Sequence, residues 1–108
     1  MNPIRTMTPA EAALWLSTET NPQFIDVRTP EEFSIASIPG SILIPMDEIA
    51  TRALELDPDA PVLIVCHHGI RSMRVAMFLK SRDFADPINL TGGIDRWSLE
   101  QDPQIPRY

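Results

Sequence analysis

Only one cysteine, Cys66, occurs in this chain of 108 residues. No disulfide can form within it, and no second thiol stands by to resolve an oxidised first one, which suits a reducing compartment. Basic residues are also short, nine against fifteen acidic ones, for a net charge of −6 and a pI near 4.7. With aromatics at 6%, that balance argues against nucleic acid as a partner. No apolar run approaches the ~20 residues that a membrane-spanning helix needs. Met1 to Glu11 lacks the charged start and apolar stretch of a secretory signal. The expectation is a cytoplasmic protein with no membrane association. Internal repeats and low-complexity tracts are absent too.

What is present reads as one α/β domain over 1–108, with a core at about 4–98 and a surface tail at 99–108. Eleven prolines are spread along the chain as punctuation between elements. Ile4 to Met7 suits a short edge strand. Thr8-Pro9-Ala10-Glu11 is a helix start with a capping box, leading to a helix that reaches about Ser17 and buries Ala12, Trp15 and Leu16. Phe24 to Val27 reads as a strand, and Thr29-Pro30-Glu31-Glu32 opens a second helix. Ile42 to Ile44 suits a short buried strand closed by Pro45. Asp47 to Leu56 has Ile49, Ala53 and Leu56 at helical spacing. Val62 to Val65 is a continuous apolar run, the pattern of a central parallel strand covered on both faces. From about Arg71 the pattern turns helical, with Val75, Met77, Phe78 and Leu79 available to pack inward. Ile88 to Leu90 suits a last strand, and Gly92-Gly93 a sharp turn into a helix carrying Trp97 as a packing anchor. Alternating strands and helices predict a parallel sheet of about five strands flanked by helices on both faces.

Cys66 therefore falls where the central strand ends and a helix begins. Unpaired amides and the positive end of the helix dipole favour an anion there, and a thiolate is the nucleophilic form of cysteine. Pro61 to Arg82 contains no acid, while Arg71, Arg74, Lys80 and Arg82 lie within it. That segment predicts a local field that opposes the net charge and draws a small anion toward Cys66. His67 and His68 suit the mouth of such a site, with some pH dependence near neutrality. As neighbours in sequence they project differently and make a poor metal pair with Cys66. No metal or cofactor is expected. Asp26 and Arg28 end the second strand, where ligands gather in open α/β sheets; they also suit an ion pair that fixes loops, and Arg28 could add to the anion field. Arg71 suits either the rim of the site or a pair with Asp26 or Glu31.

Cys66-His67-His68-Gly69-Ile70-Arg71-Ser72 resembles the Cys-x-x-Gly-x-Arg active-site loop of single-domain rhodanese-like sulfurtransferases. Phe24 to Phe33 with Ile38-Pro39-Gly40-Ser41 and Ile44-Pro45 is similar to that family's amino-terminal signature, and Asn89 to Trp97 to its carboxy-terminal one. The family commonly has Gly-His where this chain has Ala36-Ser37. The resemblance implies a rhodanese-like domain and a sulfurtransferase in which Cys66 carries sulfur as a persulfide. Amides of His67, His68, Gly69, Ile70, Arg71 and Ser72 would form the anion loop, with Asp26 and Arg28 organising the loops around it. The implied partners are a small sulfur anion such as thiosulfate and a thiol or protein acceptor, with relay to cofactor or tRNA thiolation as an alternative. Cysteine-dependent phosphatases and arsenate reductases also use a cysteine in an anion-binding loop. Four residues separate Cys66 from Arg71 where the protein phosphatases have five, and the shorter loop suits one sulfur atom better than a phosphate. A non-catalytic binding module on the same scaffold typically lacks the cysteine.

Overall fold

The computed structural model describes residues 3–108. Its strands and helices are β1 (Arg5–Met7), α1 (Pro9–Thr18), β2 (Gln23–Asp26), α2 (Pro30–Ile35), β3 (Ile42–Leu43), α3 (Ile49–Arg52), β4 (Val62–Val65), α4 (Ile70–Ser81), β5 (Pro87–Leu90) and α5 (Gly93–Glu100). The strands form one parallel sheet in the order β1-β5-β4-β2-β3. This is the architecture the alternating pattern predicts, with β4 in the middle.

Side chains that alternate along β4 divide the interior in two. Leu63 and Val65 join Met7, Ala12, Phe24, Ile88, Leu90, Ile94 and Trp97 on the face covered by α1 and α5. Val62 and Ile64 join Ile25, Val27, Ile44, Val75, Ala76 and Leu79 on the face covered by α3 and α4. All four β4 side chains are fully buried, as a doubly covered central strand requires.

Three local expectations need correction. The segment from Met46 to Glu55 is not one helix but a 3₁₀ turn (Met46–Glu48), the four-residue α3, and a second 3₁₀ turn (Ala53–Glu55). An element this short gains little from α-helical propagation, and 3₁₀ turns are common at such ends. Strand β3 is an edge strand, so Ile42 is 62% exposed and only Ile44, just beyond it, is buried. Met77 faces solvent: the inward stripe of α4 is Ser72, Val75, Ala76 and Leu79. Met77 stands two residues from Val75, on the far side of a 3.6-residue turn.

Candidate active site

The carboxyl ends of β2, β4 and β5 meet at one edge of the sheet. Cys66 follows β4 directly and keeps the parity of Val62 and Ile64, which sends its side chain to the α4 face. Gly69 is the N-cap of α4 with φ at +104°, a conformation that side-chain-bearing residues rarely adopt. There its N–H donates to Cys66 Sγ at 3.0 Å. A Cβ on Gly69 would also lie 3.3 Å from the Gly92 nitrogen.

The carbonyl side of the loop is held from α5. The Ile94 N–H donates to Cys66 O at 2.9 Å and the Asp95 N–H to His67 O at 3.1 Å. Gly93 makes that approach possible, because a Cβ there would stand 2.4 Å from His67 O. With those carbonyls bound by α5, the Gly69 amide is left to serve the sulfur. The amides of Ile70, Arg71 and Ser72 are the first-turn donors of α4, which no helical carbonyl satisfies. Cys66 is 1% exposed, so the sulfur is covered, but with an amide turned toward it.

A buried polar chain supports this arrangement. Ser72 Oγ lies 3.2 Å from Cys66 Sγ and donates to Asn89 Oδ1, while Asn89 Nδ2 donates to Gly69 O at 3.2 Å. A hydroxyl has one proton. When Ser72 gives it to Asn89, its lone pairs can accept a thiol S–H; turned the other way, it can serve a sulfur anion. The sequence motifs include Asn89 but assign it no place in the site, although a polar side chain between Ile88 and Leu90 in an apolar strand is a legible sign of a buried partner.

Asp26 and Arg28 are both fully buried and form an ion pair at 2.7 Å. The Arg28 guanidinium also donates to Ala36 O at 2.6 Å and to the Tyr108 hydroxyl at 2.7 Å. Burial works against its charge, but the bonds from Asp26 and Tyr108 outweigh that and raise its pKa. All of its guanidinium donors are engaged, so none is left over for an anion.

Arg71 corrects two further expectations. Its partner is Glu32, through a two-pronged contact at 2.6 and 2.9 Å. Asp26 is engaged by Arg28, and Glu31 faces solvent. The cation nearest the loop is thus paired with a carboxylate from α2, and the field expected from Pro61 to Arg82 alone is offset by an acid from elsewhere in the chain. The Glu32 carboxyl is held well below the usual range, chiefly by Arg71, with further bonds from Tyr108 and the Thr29 backbone.

His67 lies between two rings. Its centroid is 3.8 Å from that of His68 and 3.9 Å from that of Tyr108, the latter nearly parallel to it at 5°. Burial and the neighbouring His68 lower its pKa, and its Nε2 has no hydrogen-bond partner among the described residues. His67, His68 and Asp95 bring potential metal-binding atoms within 4.8 Å of one another. Stacked imidazoles direct their in-plane lone pairs side by side, and Arg107 already holds the Asp95 carboxylate at 2.9 and 3.3 Å. A shared ion would compete with both arrangements. Ile70, next to Arg71, is 70% exposed.

A family model for the rhodanese-like domain matches residues 8–100. The chain belongs to the rhodanese-like domain family. Among curated proteins, this rhodanese-like chain is 34% identical over 79 residues to the thiosulfate sulfurtransferase GlpE of Pseudomonas aeruginosa, covering 73% of this chain and 72% of that one. It is 43% identical over 90 residues to the chloroplastic rhodanese-like/PpiC domain-containing protein 12 of Arabidopsis thaliana, covering 80% of this chain and 30% of that protein. The first-matched curated relatives are longer proteins, of which the alignments cover between 22% and 30%. Among solved structures, a rhodanese-like domain protein from Staphylococcus aureus superposes with a TM-score of 0.83 at 30% identity, covering 97% of this chain and 99% of that one. Among the described residues, no helix is long and apolar enough to cross a membrane.

Proposed function

We propose that this rhodanese-like domain is a sulfurtransferase that moves a sulfane sulfur through a persulfide on Cys66. The observation that carries the reading is the Gly69 amide aimed at Cys66 Sγ from a loop whose carbonyls are bound behind it by α5. The thiolate attacks the outer sulfur of thiosulfate. The new Cys66 S–S bond forms as the bond to the sulfonate sulfur breaks, and that electron pair leaves with sulfite. The enzyme then holds Cys66–S–S⁻, and the charge on its terminal sulfur is served by first-turn amides of α4 and by the Ser72 hydroxyl. A thiophile such as cyanide attacks that sulfur, leaves as thiocyanate, and returns the thiolate.

A protein acceptor is the second reading for the sulfur. It is favoured by the relatives in which the matched region is under a third of a longer chain and by the exposed Ile70 beside the loop. A phosphatase is disfavoured by the four-residue spacing between Cys66 and Arg71. A purely binding role leaves the amide-bound cysteine without a use. The test is intact-mass measurement after mixing with thiosulfate. The expected result is a gain of one sulfur atom that dithiothreitol removes and that Cys66→Ser does not show. Undiminished thiocyanate production by Cys66→Ser would overturn the mechanism.

A further inference from the structure

The segment after α5 is secured before its last residue. The amides of Gln101 and Asp102 donate to Trp97 O at 2.8 and 3.1 Å. The Ser98 hydroxyl donates to Ile105 O at 2.5 Å, Ile105 is 7% exposed within the α1–α5 core, and Arg107 pairs with Asp95. These hydrogen bonds and the ion pair all return to α5 itself, so they anchor the tail without Tyr108.

Tyr108 reaches elsewhere. Its hydroxyl accepts from Arg28 Nη1 at 2.7 Å and donates to Glu32 Oε2, also at 2.7 Å. Its ring lies flat on His67. The hydroxyl thus joins the buried cation after β2 to the carboxylate that grips Arg71, and the ring presses on the residue next to Cys66. Both contacts converge on the loop from 66 to 72, one through α2 and Arg71, the other directly at His67. A residue needed only to hold the tail would have no use for either.

We infer that Tyr108 is a positioning residue for the Cys66 loop: its ring fixes His67 and its hydroxyl locks the Arg28–Glu32–Arg71 network, so that the Gly69 amide stays on the sulfur. The consequence for turnover rests on the sulfur-transfer reading; the consequence for loop order does not. Two substitutions separate the contributions. Tyr108→Phe keeps the stack and loses the hydroxyl, and Tyr108→Leu loses both.

The experiment measures amide hydrogen exchange together with thiosulfate:cyanide kinetics. In Tyr108→Leu, exchange at Gly69 is expected to quicken about tenfold, while the Val75–Leu79 amides in α4 stay at the wild-type rate. The kcat should fall about tenfold with KM for thiosulfate within about twofold, because the loop is misplaced and donor contacts are kept. Tyr108→Phe should fall between Leu and wild type in both measurements. Wild-type Gly69 exchange in Tyr108→Leu overturns the inference, as does an unchanged kcat. So does exchange that rises equally at Gly69 and through α4, since that marks a general anchor. Failure of Tyr108→Leu to fold also overturns it, because the tail is argued to be fixed without this residue. Should the wild-type protein take up no sulfur, the sulfur-transfer reading fails, and the exchange data alone decide positioning.

Discussion

The chain contains a Thr-Pro-x-Glu helix start twice, Thr8-Pro9-Ala10-Glu11 and Thr29-Pro30-Glu31-Glu32. Locally the two are nearly superimposable in role. Each threonine is an extended N-cap that accepts from the amide three residues on, at 3.2 Å in both cases. Each glutamate returns the bond to the threonine amide, at 2.9 Å in α1 and 3.1 Å in α2. In both, the carboxyl pKa is lowered, by the Thr8 backbone bond for Glu11 and mainly by Arg71 for Glu32. The difference lies beyond the cap. Glu11 is exposed and serves its helix alone, whereas Glu32 also holds Arg71 and accepts from Tyr108. A capping box is a local device that two orphan amides require. Recruiting one of its carboxylates into a candidate active site depends on partners 39 and 76 residues away.

The sharpest way to break this comparison is to remove both glutamates in turn. Glu32→Ala strips Arg71 of its two-pronged partner in a half-buried setting and leaves the Tyr108 hydroxyl without an acceptor. Sulfur transfer is expected to fall between about tenfold and about a hundredfold, as small misplacements near a reacting centre do. Glu11→Ala should leave kcat within about twofold, since it loses only a cap bond and bonds to neither Arg71 nor Tyr108. Thiocyanate assays on the two variants, with circular dichroism to confirm folding, compare them directly. Equal activities would mean that Glu32 is no more than a cap.

Acid titration gives a smaller effect with a defined sign. Glu32 has its folded pKa depressed, so the stability it contributes is complete above the ordinary glutamate range of about 4.3 and is lost as pH falls toward the depressed value. Glu32→Gln should therefore flatten the fall in stability below about pH 4. Glu11→Gln should change the same limb less, because its carboxyl is open to solvent and lacks a cationic partner as close as Arg71. Urea midpoints measured between neutral and acid pH test this. A wild-type acid slope in Glu32→Gln would contradict the depressed value.

The contrast also marks how far sequence could lead. Both capping boxes, the doubly covered central strand, the edge placement of β1 and the position of Cys66 at a strand-to-helix junction follow from nearest-neighbour chemistry and periodicity. The return of Tyr108 onto His67 and the choice of Glu32 by Arg71 are decided by which elements the sheet order brings together. No local window contains both partners. The surroundings of Cys66 show the same limit: a segment free of acids in sequence receives one from α2 in space. Gly93 was legible as a turn residue, but not as the reason the Cys66 and His67 carbonyls can reach α5. Asn89 lies between these extremes, since its polarity in an apolar strand is visible and its partners are not.

The finest test of the comparison removes the threonines and leaves both glutamates. Thr8→Ala and Thr29→Ala each delete one side-chain acceptor for an N3 amide, a loss of about 1 kcal/mol. In a domain of this size that corresponds to a Tm lower by about 4–8 °C. If the caps are equivalent devices, the two losses should be alike, and the double variant should lose their sum to within about 0.5 kcal/mol, as distant, independent sites do. Sulfur transfer in Thr29→Ala should stay within about twofold of wild type, because Arg71 and Tyr108 still hold Glu32 by bonds that do not pass through the threonine side chain. A much larger loss of activity in Thr29→Ala than in Thr8→Ala would mean that the cap aims the carboxylate at Arg71 and that the local motif and the site are one device. Equal, small losses would mean that the site borrows a residue the helix had already placed.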